Sequence, residues 1–372
     1  MSTLKPVEDH LLEFYDLHFN VVNHRTYFKK KSVSEWTKIE DYELNTIHRE
    51  ILNVNIPIGK RQLSDLLMSD FVNKYDPFQE YFNSLPDWDK KTDHIALFLD
   101  SIKTNNDVNF RWAFKKWFVA MIACALDKKP VNQTALILIG KQGVGKSTWI
   151  ENLIPFELKN YVSSGMINPA DKDTVISLSE CILINMEEMG SFSTKQVEVF
   201  KEIITKSTIK LRRAYGTYSK DFIRRASFIG STNNKALLKD VTGNRRFLVF
   251  EAQSFYSNVN FDIDKIYAQA YQLWKDGFQY WFDSSDQSTV NLINEQYRQI
   301  EPEEEYFLKY FEKAKKTETS KTLRLSPTEI IKLISSFEKQ DLSKTLSVIK
   351  MGKYLNAIDT ISRNKKYQII KK

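Results

Sequence analysis

Residues 140–148 read Gly-Lys-Gln-Gly-Val-Gly-Lys-Ser-Thr and follow directly on an apolar run. The glycines let the backbone adopt positive φ and approach an anion without a Cβ in the way. In loops of this pattern, backbone amides cradle phosphates, the lysine reaches the β- and γ-phosphates, and the serine hydroxyl ligates Mg2+. We therefore predict a site for ATP and Mg2+ formed by Gly140, Gly143, Val144, Gly145, Lys146, Ser147 and Thr148.

Two carboxylates, Glu187 and Glu188, end the apolar run that starts at Cys181. Hydrolysis needs acids on a strand that neighbours the phosphate loop, so we expect this run to be that strand. Glu187 can hold Mg2+ through its water shell, and Glu188 can deprotonate the attacking water. An acidic pair at a strand end is common by itself. Its place at a carboxyl edge, where α/β sheets bind ligands, favours catalysis.

A third apolar run ends at Asn233, and a Gly-Asn-Arg-Arg segment with Arg245 and Arg246 follows it. Asn233 can position the lytic water, although an Asn-Asn pair alone is only a turn signal. An arginine supplied across a subunit interface can stabilise charge in phosphoryl transfer. The competing interpretation is that one arginine pairs with a local carboxylate such as Asp240.

Residues 209–225 contain two basic, alternating runs around a glycine, which predicts a hairpin with its tip near Lys220. Aromatic rings between lysines and arginines suit single-stranded DNA, because bases stack on rings and cations meet phosphates. The alternative is a basic surface hairpin without function. The predicted DNA contacts are Lys220, Tyr215, Tyr218, Arg212, Arg213 and Arg224.

The elements that must position these residues are short β-rich runs at 135–139, 181–185, 227–231 and 247–250, separated by helical segments. Such alternation predicts an α/β fold with a parallel sheet covered on both faces. The predicted organisation is a small α+β region over 1–70, a helical first part of the motor over 71–130, the ATPase core over 131–300 and a basic α+β domain over 306–372. The two helices and strand of the last domain are compatible with a winged helix.

Composition excludes several classes of protein. The chain has 372 residues, 42% of them hydrophobic and 27% charged, as in a soluble globular protein. It has no apolar run of membrane-spanning length, so we expect no membrane partner. Cys124 and Cys181 lie in apolar runs and fit buried thiols in a reducing cytoplasm.

The net charge of +7 is unevenly distributed. Residues 306–372 contain 16 Lys or Arg against 6 Asp or Glu, whereas the remaining chain is close to neutral. A basic segment on a neutral body is typical of an appendage that binds a polyanion. A solvated lysine-rich tail is the alternative.

Taken in order, these motifs resemble the virulence-associated protein E family, a branch of the superfamily-three, AAA+-type helicases of phages, plasmids and genomic islands. The resemblance covers about residues 70–255. It also rests on Tyr75-Asp-Pro with Leu85-Pro-Asp-Trp88-Asp, the helix Arg111–Ala125 and Asp240-Val-Thr-Gly-Asn-Arg-Arg-Phe.

The resemblance implies a role for each motif. Lys146 and Ser147 match the Walker A pair, and Glu187 and Glu188 the Walker B acids, although Glu187 stands where Asp is usual. Asn233 matches the sensor, Arg245 or Arg246 the arginine finger, and 209–225 the translocating hairpin. Such proteins are hexameric rings that move 3′→5′ along single-stranded DNA. They are often fused to a primase. No primase-like segment fits in the 70 residues before the motor, so priming, if needed, is expected from a separate primase.

The favoured function is an ATP-dependent helicase or replication initiator of a mobile element, acting on single-stranded or forked DNA as a homo-oligomeric ring. The first alternative is an AAA+ regulatory or defence ATPase that remodels a protein or senses DNA without processive unwinding. The second is a small-molecule kinase, which would need a lid and an acceptor site. The late asparagine strand and the Gly-Asn-Arg-Arg segment argue against the kinase.

Overall fold

The computed structural model describes residues 4–129, 131–165, 168, 171–189, 192–212, 218–238, 244–314, 322–358, 360, 362–363 and 366–372. Helices and strands mix along the chain, which confirms a mixed α/β fold. No helix in this part of the chain is both long and apolar enough to cross a membrane.

The first segment contains α1 (Lys5–Phe14), β1 (Tyr15–Asn20), β2 (Arg25–Lys30), β3 (Thr37–Lys38), α2 (Asp41–Asn53), α3 (Lys60–Leu67) and β4 (Asn73–Tyr75). Its strands form one sheet in the order β3-β2-β1-β4, in which β1 is antiparallel to β2 and parallel to β4. Strands β1 and β2 form a hairpin. The sequence pattern does not predict α1, since only Val7 and Leu11 are buried on it.

The central segment begins with α4 (Pro77–Ser84), α5 (His94–Leu99), β5 (Ile102–Thr104), α6 (Asp107–Leu126), β6 (Ala135–Ile139), α7 (Lys146–Asn152), β7 (Val162–Ser164) and α8 (Lys172–Glu180). It continues with β8 (Leu183–Met186), α9 (Thr194–Ile203), β9 (Thr208–Leu211), β10 (Lys220–Ile223), β11 (Ser227–Thr232), β12 (Phe247–Phe255), α10 (Ile263–Lys275) and α11 (Ser284–Asn294). Short 3-10 helices lie at Phe156–Tyr161, Asn244–Arg246 and Glu295–Tyr297.

Six of these strands form the central sheet in the order β5-β12-β6-β11-β8-β7. The five from β12 to β7 pair in parallel, whereas β5 pairs antiparallel with β12. Strand β5 lies inside the region predicted to be helical, because three residues are too few to show a period of two. All five residues of β6 are buried, as expected for a strand covered on both faces.

Helix α6 covers one face of this sheet and is buried on nearly every side. Its residues Trp117, Met121 and Cys124 are fully buried. The Trp117 indole nitrogen donates to the carbonyl oxygen of Phe228, 3.1 Å away on β11. This bond ties the helix to the centre of the sheet.

The last segment contains α12 (Pro302–Tyr310), β13 (Phe311–Lys313), β14 (Thr322–Leu325), α13 (Pro327–Glu338), α14 (Val348–Ala357), β15 (Ser362–Arg363) and β16 (Lys366–Lys371). Strand β16 pairs antiparallel with β13, β14 and β15. These elements share a hydrophobic cluster that includes Phe307, Ile330 and Leu355. Helix α12 starts ahead of the predicted boundary at 306, because a proline and three glutamates favour a helix start.

Candidate nucleotide site and DNA-facing hairpin

The predicted phosphate loop connects the carboxyl end of β6 to α7. Gly143 and Gly145 have φ of 77° and 111°, values that glycine adopts without steric cost. At Gly140, a Cβ would lie 2.9 Å from the carbonyl oxygen of Ala252 on β12. The loop therefore requires these glycines for its own geometry as well as for room beside an anion.

Lys146 begins α7, and its ammonium group points back over the loop. It donates to the carbonyl oxygens of Gly140 at 2.7 Å and Lys141 at 2.9 Å. Partial burial lowers the pKa of Lys146. Ser147 and Thr148 are exposed on the first helical turn. A glycine loop, a lysine and a hydroxyl are the groups that a polyphosphate with Mg2+ requires, so these residues fit that ligand.

The acid pair follows β8 directly, and both carboxylates are exposed. The expectation that their strand neighbours the phosphate-loop strand is wrong, because β11 lies between β8 and β6. Strands adjacent in sequence often pair, but here a later strand occupies the intervening place. Met186 pairs with Gly230, which pairs with Ile137. The acids thus lie at the same edge as the loop, two strand spacings or about 10 Å aside.

The backbone at Glu188 is held in an uncommon conformation, with a φ of 52°. The next residue, Met189, is buried. A Cβ added at Gly230 would lie 2.6 Å from the Met189 sulfur, so only glycine leaves room for this side chain. Packing of Met189 against Gly230 therefore stabilises the turn that carries Glu188. The glycine inside an apolar strand is the sequence signal for this close approach.

Asn233 follows β11 at the same edge of the sheet, and its side chain is exposed. Thr232 pairs with Ile139, and its carbonyl oxygen accepts a hydrogen bond of 3.0 Å from the Gly140 amide. Asn233 is therefore level with the start of the phosphate loop. The fold brings the loop, the acid pair and Asn233 to one edge.

Other polar residues at this edge do not stand out in the sequence motifs. Lys235 forms an ion pair of 2.6 Å with Glu251, which pairs with Ile139 on the other side of β6. Asn185 is buried in β8, with its amide nitrogen 3.4 Å from a Glu187 carboxylate oxygen. Among the described residues, its amide oxygen has no hydrogen-bond partner. A polar residue within an apolar strand is the signal that would have identified both Asn185 and Glu251.

The arginine pair lies at the opposite edge of the sheet. Arg245 is exposed and donates to the Gln287 side chain at 3.2 Å, whereas Arg246 is half-buried. Phe247, the next residue, pairs with Ala135 at the start of β6. The arginines are therefore separated from their own phosphate loop by about the length of β6, roughly 16 Å. The alternative partner Asp240 lies outside the described residues.

The predicted hairpin is present, since β9 and β10 form a separate antiparallel pair. Lys220 pairs with Leu211 at the end of the ladder nearest the tip. Lys220, Arg212 and Tyr218 are exposed, the tyrosine by 76%. The predicted contacts Arg213 and Tyr215 lie outside the described residues.

Arg224 cannot contact DNA as predicted, because its side chain is completely buried. Its guanidinium donates to the carbonyl oxygens of Lys206 at 2.7 Å and of Asn132 and Ile204 at 3.1 Å, and also to that of Ala226. These bonds fasten the base of the hairpin to the central sheet. Arg224 is a structural residue, which its place in a basic, alternating run does not reveal.

Comparisons with known proteins agree with this architecture. A family model described as virulence-associated protein E-like domain matches residues 82–299, which include every motif at both edges of the sheet. Two solved structures of the NrS-1 C-terminal region (305–718), one described as apo and one as an A-form apo structure, each have a TM-score of 0.50. Their sequence identities are 13% and 14%. The first alignment covers 99% of this chain and 98% of that one, and the second covers 100% and 99%.

At these identities, the likeness to the solved structures concerns the fold alone. No curated protein gives a significant match.

Proposed function

This chain belongs to the virulence-associated protein E-like family, as its motifs predict, and we propose that it is an ATP-dependent DNA helicase or replication initiator of a mobile genetic element. The observation that carries the proposal is the convergence of the phosphate loop, Glu187, Glu188 and Asn233 at one carboxyl edge of the central sheet. Ligands of open α/β sheets bind outside this edge.

Each group at that edge has a distinct task. When bound, ATP supplies the phosphoryl group, and Mg2+ supplies positive charge that neutralises the phosphate oxygens. Lys146 and the loop hold the phosphates, while Ser147 and Glu187 hold the metal. Glu188 accepts a proton from water, and Asn233 orients that water. Mg2+ usually takes few protein ligands together with phosphate oxygens, which a serine hydroxyl, a glutamate and the phosphates of ATP would supply here.

The position of the arginines supports an oligomeric enzyme. Since Arg245 and Arg246 lie at the edge away from their own phosphate loop, we propose that one of them reaches the site of a neighbouring subunit. A heterologous interface of this kind gives a closed ring when the rotation between subunits closes, and we propose that it does so here. Family resemblance makes six the expected number of subunits.

Two basic elements support DNA as the partner. Lys220, Arg212 and Tyr218 are exposed on the hairpin. The segment 306–372 adds α13 and α14 followed by the antiparallel pair β15–β16, an arrangement that supports a winged helix. We propose that the hairpin moves single-stranded DNA with 3′→5′ polarity and that the C-terminal segment holds DNA nearby.

Strand displacement tests this proposal directly. Forked DNA with a labelled strand and either a 3′ or a 5′ loading tail is incubated with ATP and Mg2+. We expect displacement from the 3′-tailed fork by the wild type and none by Glu188→Gln. DNA-stimulated ATP hydrolysis without displacement would favour a regulatory or defence ATPase. If the protein hydrolyses no ATP, the proposed ATPase activity is rejected.

A further inference from the structure

The N-terminal sheet has two different faces. Leu17, Phe19 and Phe28 point to the face that packs on the N-terminal helices. Neighbouring side chains along a strand point to opposite faces, and the β1–β2 register places His18 opposite Tyr27 on the other face. That face holds rings and cations instead of aliphatic side chains.

Four rings lie together on this second face. The His18 centroid is 5.3 Å from that of Tyr27, with the rings stacked, 4.2 Å from that of Trp36 and 4.5 Å from that of Tyr75. Trp36 is 41% exposed. The amide nitrogen of Asn23 donates to the Tyr27 hydroxyl at 2.8 Å and fixes that ring. Burial lowers the pKa of His18 to about 4, so its ring is neutral at physiological pH.

Two lysines adjoin these rings. Lys29 lies two residues after Tyr27 on the same face of β2, and Lys38 on β3 pairs with Tyr27. The Lys29 ammonium lies 5.1 Å from the Trp36 centroid and 3.2 Å from an Asp16 carboxylate oxygen. Lys38 pairs with Glu40. Surface ion pairs of this kind contribute little free energy, so both lysines can exchange a carboxylate for a phosphate.

The N-terminal sheet contacts the hairpin at the end of β1. The ring of His24, in the turn after β1, lies 5.1 Å from that of Phe222 on β10. At the base of the hairpin, Arg225 forms an ion pair of 3.7 Å with Asp76, next to β4. A single strand of DNA that leaves the hairpin therefore reaches the N-terminal sheet next.

We propose that this aromatic face, made of His18, Tyr27, Trp36, Tyr75 and the adjoining lysines, is a second binding site for single-stranded DNA. Bases stack on Trp36 and Tyr27, while Lys29 and Lys38 contact phosphates without sequence preference. Duplex DNA does not suit the face, because its bases already stack on one another. The site lies outside the nucleotide edge and the C-terminal segment, and its existence does not depend on ATP hydrolysis.

The test measures the affinity of the full chain for a fluorescent oligo(dT), without nucleotide, by anisotropy. Trp36→Ala should weaken binding by at least about fivefold, the loss expected when one stacked base loses its ring. Trp36→Phe should retain most of the affinity. The matched control is Tyr42→Ala, because Tyr42 is 78% exposed on α2 of the same segment. Both the control variant and Trp36→Ala should keep the DNA-independent ATPase rate.

Photo-crosslinking with 4-thiothymidine strands locates the contact independently. We expect crosslinked peptides from within residues 15–38 or containing Tyr75. Wild-type affinity in Trp36→Ala, or crosslinks only outside these residues, would overturn the proposal. Equal affinity for duplex DNA, or tighter binding of oligo(rU) than of oligo(dT), would overturn the assignment to single-stranded DNA. A wild type that binds through Trp36 but displaces no strand would reject the helicase and keep this site.

Discussion

At the scale of single residues, Lys146 shows what a nucleotide must displace. Its ammonium group already has two carbonyl partners in its own loop. Phosphate oxygens therefore replace protein hydrogen bonds instead of filling unsatisfied ones, and the net gain is smaller than the gross interaction. Lys146 nevertheless favours phosphate over the carbonyl oxygens, because hydrogen bonds between charged groups are stronger than those to neutral carbonyls.

Glu188→Gln should lower ATP turnover by at least about a hundredfold, since an amide cannot accept the proton of the attacking water. ATP binding should persist, because the phosphate-holding residues are unchanged. Lys146→Ala, as the contrasting variant, should lose binding itself. Phosphate release and binding of a fluorescent ATP analogue measure the two effects. A parental rate in Glu188→Gln would assign the base elsewhere.

Arg224→Met should reduce the free energy of unfolding by about 3 kcal/mol or more, because several buried carbonyl oxygens lose their donor. The matched control is Arg212→Met, at an exposed position of the same hairpin, which should leave stability unchanged. Urea unfolding of both variants provides the measurement. Equal stability of the two would contradict the structural role of Arg224.

At the scale of elements, the hairpin lies in the chain between two strands that each end in residues of the nucleotide site. It leaves the segment after the acid-bearing strand and returns to the strand that ends at Asn233. Arg224 anchors its base, whereas Lys220 lies at the far end of its ladder. Movement at the nucleotide edge can therefore reach the tip through two rigid strands.

Lys220→Ala should reduce the number of base pairs unwound per ATP hydrolysed, because the phosphate contact that transmits movement is lost. DNA-independent hydrolysis should continue. Lys206→Ala is the control, since Lys206 lies before β9 and pairs with Glu202. Arg212→Ala tests the remaining described candidate. Normal coupling in Lys220→Ala and Arg212→Ala would favour the non-translocating alternative.

At the scale of the whole molecule, the arginine pair and the phosphate loop of one chain cannot form one site. Catalytically inactive Glu188→Gln subunits should therefore inhibit mixed assemblies more than in proportion to their fraction.

Arg245→Ala or Arg246→Ala should lose turnover while keeping ATP binding, because the transition-state charge lacks its partner. Light scattering that shows a fully active monomer with ATP and DNA present would contradict the ring.

Removing residues 301–372 should weaken DNA binding and flatten its dependence on salt, because the released counterions are those displaced by this basic segment. The truncation starts before α12, which belongs to the C-terminal hydrophobic cluster through Phe307. DNA-independent ATP hydrolysis should remain. Equal affinity of the full and shortened chains at low salt would show that this folded segment does not bind DNA.

Local sequence determined the elements of the site. The run 135–139 is apolar throughout and forms β6 with those bounds. Gly143 and Gly145 after it adopt positive φ values, which glycine does without steric cost. The motif order also identified the family. Such features depend on residues close in the chain, so pattern and residue type suffice to predict them.

Tertiary packing determined which strands and side chains are neighbours in space. The place of β11 between the loop strand and the acid strand depends on pairings among residues far apart in sequence. Arg224 and Arg212 belong to the same basic hairpin segment, yet one is buried among carbonyl oxygens and the other is exposed. The aromatic face of the N-terminal sheet likewise forms only when β1, β2 and β4 come together. Contacts of this kind have no local signal, because the partner of each residue is chosen by the whole fold.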